Sequence, residues 1–219
     1  MEKSYYNVLE TLLLIYAADE GKLKIYLKKK VDEPYKGYWT LPSAPLDNQT
    51  TLEENANIIY KSVTNLELTN IYEGKTFSNL DRDQNNRIIG TTFITLVDKT
   101  LIDLKKDDDD KSWFDVDELP KLGFDHEAII NDITKELKQK IVTNYDDMLL
   151  NCFPSDFTLP EMQSFYENML GKTIDRRNFH KKFAGQELVI DTGVKTSKGT
   201  GRPGALYRFN TFKMKGKRI

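Results

Sequence analysis

The pattern of apolar and polar positions predicts several β-strands in the first 120 residues. Residues 5–18 are rich in Val, Leu, Ile and Tyr, residues 19–22 are polar, and residues 23–27 are apolar again. Two apolar runs joined by a short polar turn indicate a β-hairpin whose first strand is buried. Further strands are predicted at residues 37–42, 71–77 and 88–97, and a short strand and turn at residues 112–120.

Two segments between and after these strands show helical spacing. Thr51 and Glu54 fit a capping box at the start of the first, residues 51–63. Its apolar face consists of Leu52, Ala56, Ile59, Tyr60 and Val63. The second, residues 125–144, carries an apolar stripe that predicts packing against a core or a partner subunit. That stripe consists of Ile129, Ile130, Ile133, Leu137 and Ile141.

The C-terminal part predicts helices followed by a hairpin. A short helix is expected at residues 148–153. Thr158 and Glu161 then form a second capping box, ahead of an apolar-periodic segment that Gly171 ends. Another short helix is predicted at residues 175–185, and two strands follow it. This order is typical of a winged helix-turn-helix, and its natural partner is duplex DNA.

The helix at residues 175–185 has the pattern of a major-groove reader. Phe179 and Phe183 lie four residues apart on one face, while cationic residues project elsewhere. Arg and Asn suit base edges, and Lys suits phosphates. The hairpin tip, residues 199–204, holds three glycines and presents Arg202 on a narrow backbone suited to a minor groove. The candidate DNA-binding residues are Arg176, Arg177, Asn178, His180, Lys181, Lys182, Lys195, Lys198, Gly201, Arg202 and Pro203.

Two alternatives stay open for these residues. A basic helix is also compatible with a solvated face, and a Gly-rich tip is also compatible with a loop that binds nothing. His180 also fits a space-filling position beside Phe183.

Charge is distributed unevenly, although the net charge is only −2. Residues 154–219 hold 13 Lys and Arg against 6 Asp and Glu, whereas the rest of the chain holds 19 against 28. A basic block beside an acidic one suggests a polyanion-binding domain joined to a domain that avoids polyanions.

The remaining composition indicates an ordinary cytoplasmic protein. Cys152 is the single cysteine, which excludes a disulfide framework and fits a reducing cytosol. No apolar run approaches the ~20 residues of a membrane span, and the first residues lack a signal-peptide pattern. The consecutive aspartates at residues 107–110 are expected in a solvated turn rather than in a metal site.

Residues 5–142 resemble the Nudix hydrolase fold. Gly37 to Pro42 before the first helix, Ala56 within it, and Trp113-Phe114 with Glu118-Leu119-Pro120 after it carry the resemblance. The Nudix signature, aligned with its first glycine on Ala44, requires an arginine and several glutamates in and before that helix. Those positions are occupied by Thr50, Ile58, Ile59, Ser62 and Val63.

Nudix chemistry needs carboxylates three and four residues apart that converge on divalent cations. Because Ile59, Ser62 and Val63 replace them, we predict no hydrolysis, no catalytic residue, no bound metal and no cofactor.

The whole chain resembles the Nudix-related transcriptional regulators of bacteria, the NrtR type, best known as repressors of NAD biosynthesis and salvage genes. The motifs are Phe157 to Glu161, Asp175 to Phe179, Gly201-Arg202-Pro203 and Ala205 to Phe209, with Asp81-Arg82-Asp83 and Phe124-Asp125-His126. The resemblance implies a homodimer on a pseudo-palindromic operator. It also implies a small-molecule effector in the former catalytic pocket, often ADP-ribose.

Three residues are candidates for holding such an anionic nucleotide sugar. Trp39 is suited to stacking, and Arg82 and Arg87 to phosphate. The alternative is a core Trp and two solvated arginines. Relatives in the same broad family respond to sugars, so a sugar effector stays open. A residual hydrolase and a nucleic-acid-binding adaptor stay open as well.

The expected fold is α+β, with two domains. Residues 1–145 are predicted to form a Nudix-like α/β/α sandwich that senses the effector. Residues 146–219 are predicted to form the winged helix-turn-helix.

Overall fold

The structure is a computed structural model that describes residues 7–83, 86–102, 109–143, 147–196 and 204–215. The chain divides into two compact units. The first unit takes Met1–Tyr16, Ile25–Thr95 and Ile102–Lys135, and the second takes Ala17–Lys24, Leu96–Leu101 and Glu136–Ile219. A boundary at residue 145 stays a prediction.

A seven-stranded sheet runs through the first unit. Its main path has the order β3-β2-β1-β6-β5, with β4 paired to β1 and β7 paired to β2. The strands are β1 (Asn7–Asp19), β2 (Lys22–Lys29), β3 (Trp39–Thr40), β4 (Ser43–Pro45), β5 (Tyr72–Phe77), β6 (Arg87–Leu96) and β7 (Lys111–Asp115). All the strands predicted from alternation are present.

Two helices cover opposite faces of β1. Helix α1 is Leu52–Thr64 and helix α2 is His126–Thr143. Asn55 of α1 donates to Thr11 Oγ1 across 3.1 Å, and the Tyr16 hydroxyl lies 2.9 Å from Thr134 Oγ1 of α2. Residues 11 and 16 point to opposite faces because side chains alternate along a strand. This is the predicted α/β/α sandwich.

Burial explains why β1 lies at the centre. Its residues from Leu12 to Ala17 have no exposed surface, and neither do Leu23, Ile25 and Leu27 of β2. A strand covered on both faces needs a continuous apolar run, and β1 has one. The α2 stripe is buried as predicted, at Ile129, Ile130, Ile133, Leu137 and Ile141.

The run of aspartates is described only in its second half. Asp109 and Asp110 are exposed in a turn directly before β7, in agreement with the expected solvated turn. Asp107 and Asp108 lie outside the described residues.

The second unit combines helices with a small sheet of order β8-β10-β9. Its elements are α3 (Asp147–Cys152), β8 (Phe157–Thr158), α4 (Leu159–Leu170), α5 (Arg176–Phe183), β9 (Val189–Lys195), β10 (Ala205–Phe209) and α6 (Thr211–Lys215). Both predicted strands of the hairpin and all three predicted helices are present, in the predicted order.

Aromatic rings form the core of the second unit. Phe153 packs edge-on against Phe165 with centroids 4.8 Å apart, and Phe157 lies 4.5 Å from Phe209. Edge-to-face and tilted contacts at these distances are the favoured arrangements of aromatic pairs. They hold α3, α4 and the sheet together.

The sequence pattern did not indicate three short elements. Strand β8 has two residues and pairs with Leu206 and Tyr207 of β10, far away in sequence. Strand β4 ends at Pro45 and was expected to be loop. Helix α6 has five residues, too few to show a period. Among the helices that the structure describes, none combines the length and apolar character needed to span a membrane.

Candidate nucleic-acid interface and ligand site

The helix-turn-helix is fixed by local signals at each end of its helices. Thr158 caps α4 in a reciprocal capping box with Glu161, as predicted. Gly171 ends α4 in the left-handed region at φ 63°. Asp175 caps α5 by accepting from the Asn178 backbone N–H across 2.8 Å. Each device satisfies backbone groups that a helix end leaves unpaired.

Helix α5 separates an apolar face from a cationic one. Phe179 and Phe183 are buried and lie 5.7 Å and 5.5 Å, ring centroid to centroid, from Tyr166 of α4. The candidate DNA-binding side chains on the other face are exposed: Arg176, Arg177, Asn178, Lys181 and Lys182. The apolar anchor leaves those groups directed to solvent, as the amphipathic pattern predicted.

His180 has a different environment from the residues on the exposed face of α5. It is half-buried, and its Nε2 atom is buried without a hydrogen-bond partner among the described residues. Burial lowers its pKa, and the neighbouring charge of Arg176 lowers that pKa further. These surroundings fit the space-filling alternative better than a base contact.

The wing is described only at its base. Lys195 is exposed at the end of β9, and the Thr196 N–H donates to the Gly204 carbonyl across 2.9 Å. The other wing candidates lie outside the described residues: Lys198, Gly201, Arg202 and Pro203. Arg208 of β10 forms an ion pair with Asp156, with 2.8 Å between Nη2 and Oδ1.

In the first unit, the segment at residues 121–125 contacts two of the three candidate ligand residues, Trp39 through Gly123 and Arg82 through Asp125. The Gly123 N–H donates to the Trp39 carbonyl across 2.9 Å. The Trp39 ring is half-buried, packs edge-on against Phe114, and has Lys29 Nζ 5.1 Å from its centroid. Trp39 is therefore partly accessible and lies beside a cation.

Arg82 is buried, not solvated. Its side chain is only 4% exposed, and it forms a bidentate pair with Asp125 across 2.7 Å and 3.2 Å. Glu10 lies 3.9 Å away. The Nη1 atom has no hydrogen-bond partner among the described residues and packs against Gly90, where a Cβ would lie 2.5 Å from it. Because its charge is already engaged, Arg82 anchors its loop to the turn directly before α2.

Arg87 also has a structural contact. Its Nη1 donates to the carbonyls of Ser78 and Asn79 across 2.7 Å and 3.0 Å. These bonds close the loop that contains Arg82. Arg87 is half-buried, so both arginines depart from the solvated alternative.

Two ionisable groups near Arg82, the half-buried Glu10 and the buried His126, have shifted pKa values. Burial raises the pKa of Glu10, although a hydrogen bond from Ser43 and the charge of Arg82 oppose that rise. Burial lowers the pKa of His126 to about 4. His126 Nδ1 accepts the Leu41 N–H across 3.0 Å. Glu10 was not predicted as a site residue, because an isolated acid within an apolar run gives no motif.

The positions that carry carboxylates in Nudix enzymes hold other groups here. In the alignment that places the first glycine of the Nudix signature on Ala44, a later glycine of the signature falls on Asn65. Asn65 ends α1 in the left-handed region at φ 59°, a conformation that favours glycine, and this supports the alignment. Ile59 is 3% exposed, and the Ser62 hydroxyl donates to the Ile59 carbonyl across 2.7 Å. Glu54 is occupied in the capping box with Thr51. Over the described part of the chain, no three or more His, Cys, Asp or Glu residues are grouped to hold a metal ion.

Comparisons with known proteins match both parts of this arrangement. A family model for the NrtR DNA-binding winged helix domain matches residues 149–209. Over 206 residues the chain is 25% identical to a protein of Acinetobacter baylyi named ADPR responsive transcriptional repressor NtrR, covering 90% of this chain and 80% of that protein. It is also 34% identical over 137 residues to an ADP-ribose pyrophosphatase of Methanocaldococcus jannaschii, covering 59% of this chain and 77% of that protein.

A solved structure matches nearly the full length. The crystal structure of Shewanella oneidensis NrtR complexed with a 27mer DNA has a TM-score of 0.76 and 25% identity, covering 94% of this chain and 95% of that chain. The family match includes α4, α5 and both strands of the wing. Residues 149–209 therefore belong to the NrtR DNA-binding winged helix domains, and the chain as a whole has the fold of the NrtR structure, with a Nudix-like unit before the winged helix.

Proposed function

We propose that this protein is a transcriptional repressor that binds an operator through α5 and the wing, and that ADP-ribose binds its Nudix-like unit without being hydrolysed. The main support for the proposal is the cationic face of α5, which is exposed because Phe179 and Phe183 bury the opposite face of the helix.

On the DNA-binding side, the exposed side chains have separate roles. Arg177 and Asn178 lie in the first turn of α5, where they suit base edges in the major groove. Lys181, Lys182 and Lys195 suit phosphates, and so does Lys198. Arg202 of the wing tip is proposed for the minor groove. A homodimer would place two such helices in successive major grooves, roughly 34 Å apart.

Two relatives support ADP-ribose as the effector. The repressor of Acinetobacter baylyi is named for its response to ADPR, and the enzyme of Methanocaldococcus jannaschii is named for ADP-ribose as substrate. We propose that Trp39 stacks on the ligand, because its ring is partly accessible and has Lys29 beside it. For Arg82 to hold a phosphate, its pair with Asp125 must be rearranged or its Nη1 must become accessible. The resemblance to NrtR-type regulators supports genes of NAD metabolism as the targets of this protein.

The absence of hydrolysis rests on the side chains of α1. A Nudix enzyme needs carboxylates on this helix to hold the cations that activate water. Ile59 is buried hydrocarbon, and the Ser62 hydroxyl is engaged by the helix backbone. Neither side chain replaces a carboxylate. We therefore propose that the ligand is sensed and released unchanged.

A residual hydrolase is the second candidate, because the pyrophosphatase relative is 34% identical. A sugar-responsive regulator of the same family is the third. Incubation of the protein with ADP-ribose and Mg²⁺, followed by chromatography for AMP, separates the enzyme from the sensor. We expect no AMP above the level without protein, and protein-dependent AMP would contradict the proposal.

A binding measurement completes the test of the ligand. ADP-ribose should raise the melting temperature of the protein, whereas arabinose should leave it unchanged. Trp39→Ala should abolish the shift if the ring stacks on the ligand, and Trp113→Phe provides an aromatic control elsewhere in the unit. A shift with arabinose alone would favour sugar control and contradict the proposal.

A further inference from the structure

Two side chains of α4 hold both backbone groups of Ile174 in the turn before α5. The Glu167 carboxylate accepts the Ile174 N–H across 2.8 Å, and Gln163 Nε2 donates to the Ile174 carbonyl across 3.0 Å. Gln163 Nε2 also donates to Glu167 Oε1 across 3.1 Å. We call this set of three hydrogen bonds the turn clamp.

The turn clamp acts directly before the part of α5 that faces outward. Ile174 precedes Asp175, the N-cap residue whose carboxylate accepts the Asn178 N–H. A fixed position for Ile174 therefore fixes the N-cap and the first turn. That first turn carries Arg176, Arg177 and Asn178, which are all exposed.

The apolar contacts between the two helices act at a different place. Phe179 and Phe183 pack on Tyr166 and secure the inner face of α5. Such contacts stabilise the pair of helices but tolerate small shifts and rotations, because apolar packing has no directional bonds. Hydrogen bonds to a backbone N–H and a backbone carbonyl are directional, so the turn clamp restricts the orientation of the helix start.

We propose that Gln163 and Glu167 are positioning residues for sequence-specific recognition: they set the orientation of the first turn of α5 without touching the DNA. This inference rests on the proposed function. Base-edge contacts depend on sub-ångström placement of short-range groups. Lysine contacts to phosphates come from long flexible side chains and tolerate small displacements. Loss of the clamp should therefore reduce specificity far more than general DNA affinity.

Glu167 serves in this scheme as a hydrogen-bond acceptor, not as a charge. The Ile174 N–H, followed by Gln163, lowers the pKa of its carboxyl group, so the group is ionised at neutral pH. A glutamine at this position keeps an oxygen acceptor in the same place and removes the negative charge. Both Glu167→Gln and Glu167→Ala therefore remove the negative charge, but only Glu167→Gln keeps an acceptor for the hydrogen bonds of the turn clamp.

The test compares the wild-type protein with Glu167→Ala, Glu167→Gln and Gln163→Ala. The operator is first selected by wild-type protein from a pool of random duplexes. Fluorescence anisotropy then gives the affinity of each variant for that operator and for a scrambled duplex at one salt concentration. The ratio of the two affinities is the specificity. The double variant Gln163→Ala/Glu167→Ala is measured in the same way, and melting temperatures of all five proteins are recorded in parallel.

Glu167→Ala is expected to lower the specificity by roughly tenfold, which is the effect of one misplaced base contact. Its affinity for the scrambled duplex should change by less than about twofold. Glu167→Gln should remain within about threefold of wild type, because the acceptor persists. Gln163→Ala should reduce specificity in the same direction as Glu167→Ala. The double alanine variant should be little worse than Glu167→Ala, because both residues act on one turn.

Three outcomes would overturn the inference. Unchanged specificity in Glu167→Ala would show that the clamp does not position α5. Equal losses in Glu167→Gln and Glu167→Ala would assign the effect to charge. Parallel losses for operator and scrambled duplex, with a lower melting temperature, would assign it to general stability. If wild-type protein selects no sequence from the pool, the proposed function fails, independently of the clamp.

Discussion

His126 Nδ1 accepts the Leu41 backbone N–H across 3.0 Å, which joins the first residue of α2 to the segment that follows β3. The side chain of His126 is 2% exposed, so this hydrogen bond is shielded from water. An imidazole that accepts through Nδ1 carries its proton on Nε2 and is neutral. The folded state therefore requires neutral His126.

This requirement predicts a dependence of stability on pH. Burial lowers the pKa of His126 from 6.5 to about 4, so the unfolded chain binds this proton more readily than the folded chain. The stabilisation is complete above pH 6.5 and is lost as the pH falls toward 4, by up to about 3 kcal/mol. Urea unfolding at two pH values on either side of this range measures the effect. His126→Gln should make the free energy of unfolding less dependent on pH over this range. If that variant keeps the pH dependence of the wild-type protein, His126 is not its source.

A second prediction concerns the buried pair of Arg82 and Asp125. Asp125→Asn removes the close carboxylate of a guanidinium whose side chain is 4% exposed and leaves only Glu10, 3.9 Å away, which should cost about 3 kcal/mol. Asp132→Asn is the matched control, because Asp132 lies on α2, the helix that begins directly after Asp125, and pairs with the exposed Lys75 across 2.9 Å. That exposed pair should contribute less than about 1 kcal/mol. Similar losses in both variants, measured by chemical unfolding, would show that Arg82 does not need Asp125.

A third prediction concerns the tip of the β1–β2 hairpin. Gly21 has φ 74°, and a Cβ on it would lie 2.6 Å from Ser164 Cβ. Gly193 has the same φ, but no atom of the described structure lies within 4 Å of the place that a Cβ would take there. Gly193→Ala should cost about 1 kcal/mol from backbone strain alone, and Gly21→Ala should cost more because atoms must also move.

Thermal unfolding of both alanine variants checks this difference. Addition of Ser164→Gly to Gly21→Ala should recover part of the loss, because it removes the atom that the new Cβ meets. Equal destabilisation by Gly21→Ala and Gly193→Ala would mean that the contact with Ser164 has no energetic role.

A fourth prediction separates base contacts from phosphate contacts on α5. Arg177→Ala should cost about 1–3 kcal/mol of operator binding and relax the sequence preference at one position. Lys182→Ala should lower the affinity for all duplexes and flatten its salt dependence. Binding to a panel of operator variants over a salt series measures both effects. The same sequence profile and salt slope in the two variants would contradict the roles assigned to Arg177 and Lys182.

Local signals in the sequence predicted local structure well. The capping boxes at Thr51 and Thr158 both form, because all their partners lie within three residues. The outward charges of α5 and its buried Phe179 and Phe183 follow from helical spacing alone. Where a feature depends on neighbours in sequence, residue type and spacing are sufficient to predict it.

Contacts between distant segments were not predictable in this way. Arg82 was interpreted as a ligand-binding or solvated arginine, because nothing near it in sequence indicates a partner 43 residues away. Strand β8 forms only because β10 lies beside it. The turn clamp depends on Gln163, Glu167 and Ile174, whose residue types match no motif.

In the proposed function, the winged helix binds an operator while the Nudix-like fold binds ADP-ribose without cleaving it. To test this directly, the affinity of the protein for its selected operator is measured by titration with and without ADP-ribose. The amount of intact ADP-ribose in the same sample is then determined. We predict that operator affinity changes by about 5- to 150-fold and that the ADP-ribose is recovered intact. Unchanged operator affinity together with conversion of ADP-ribose to AMP and ribose phosphate would contradict the claim.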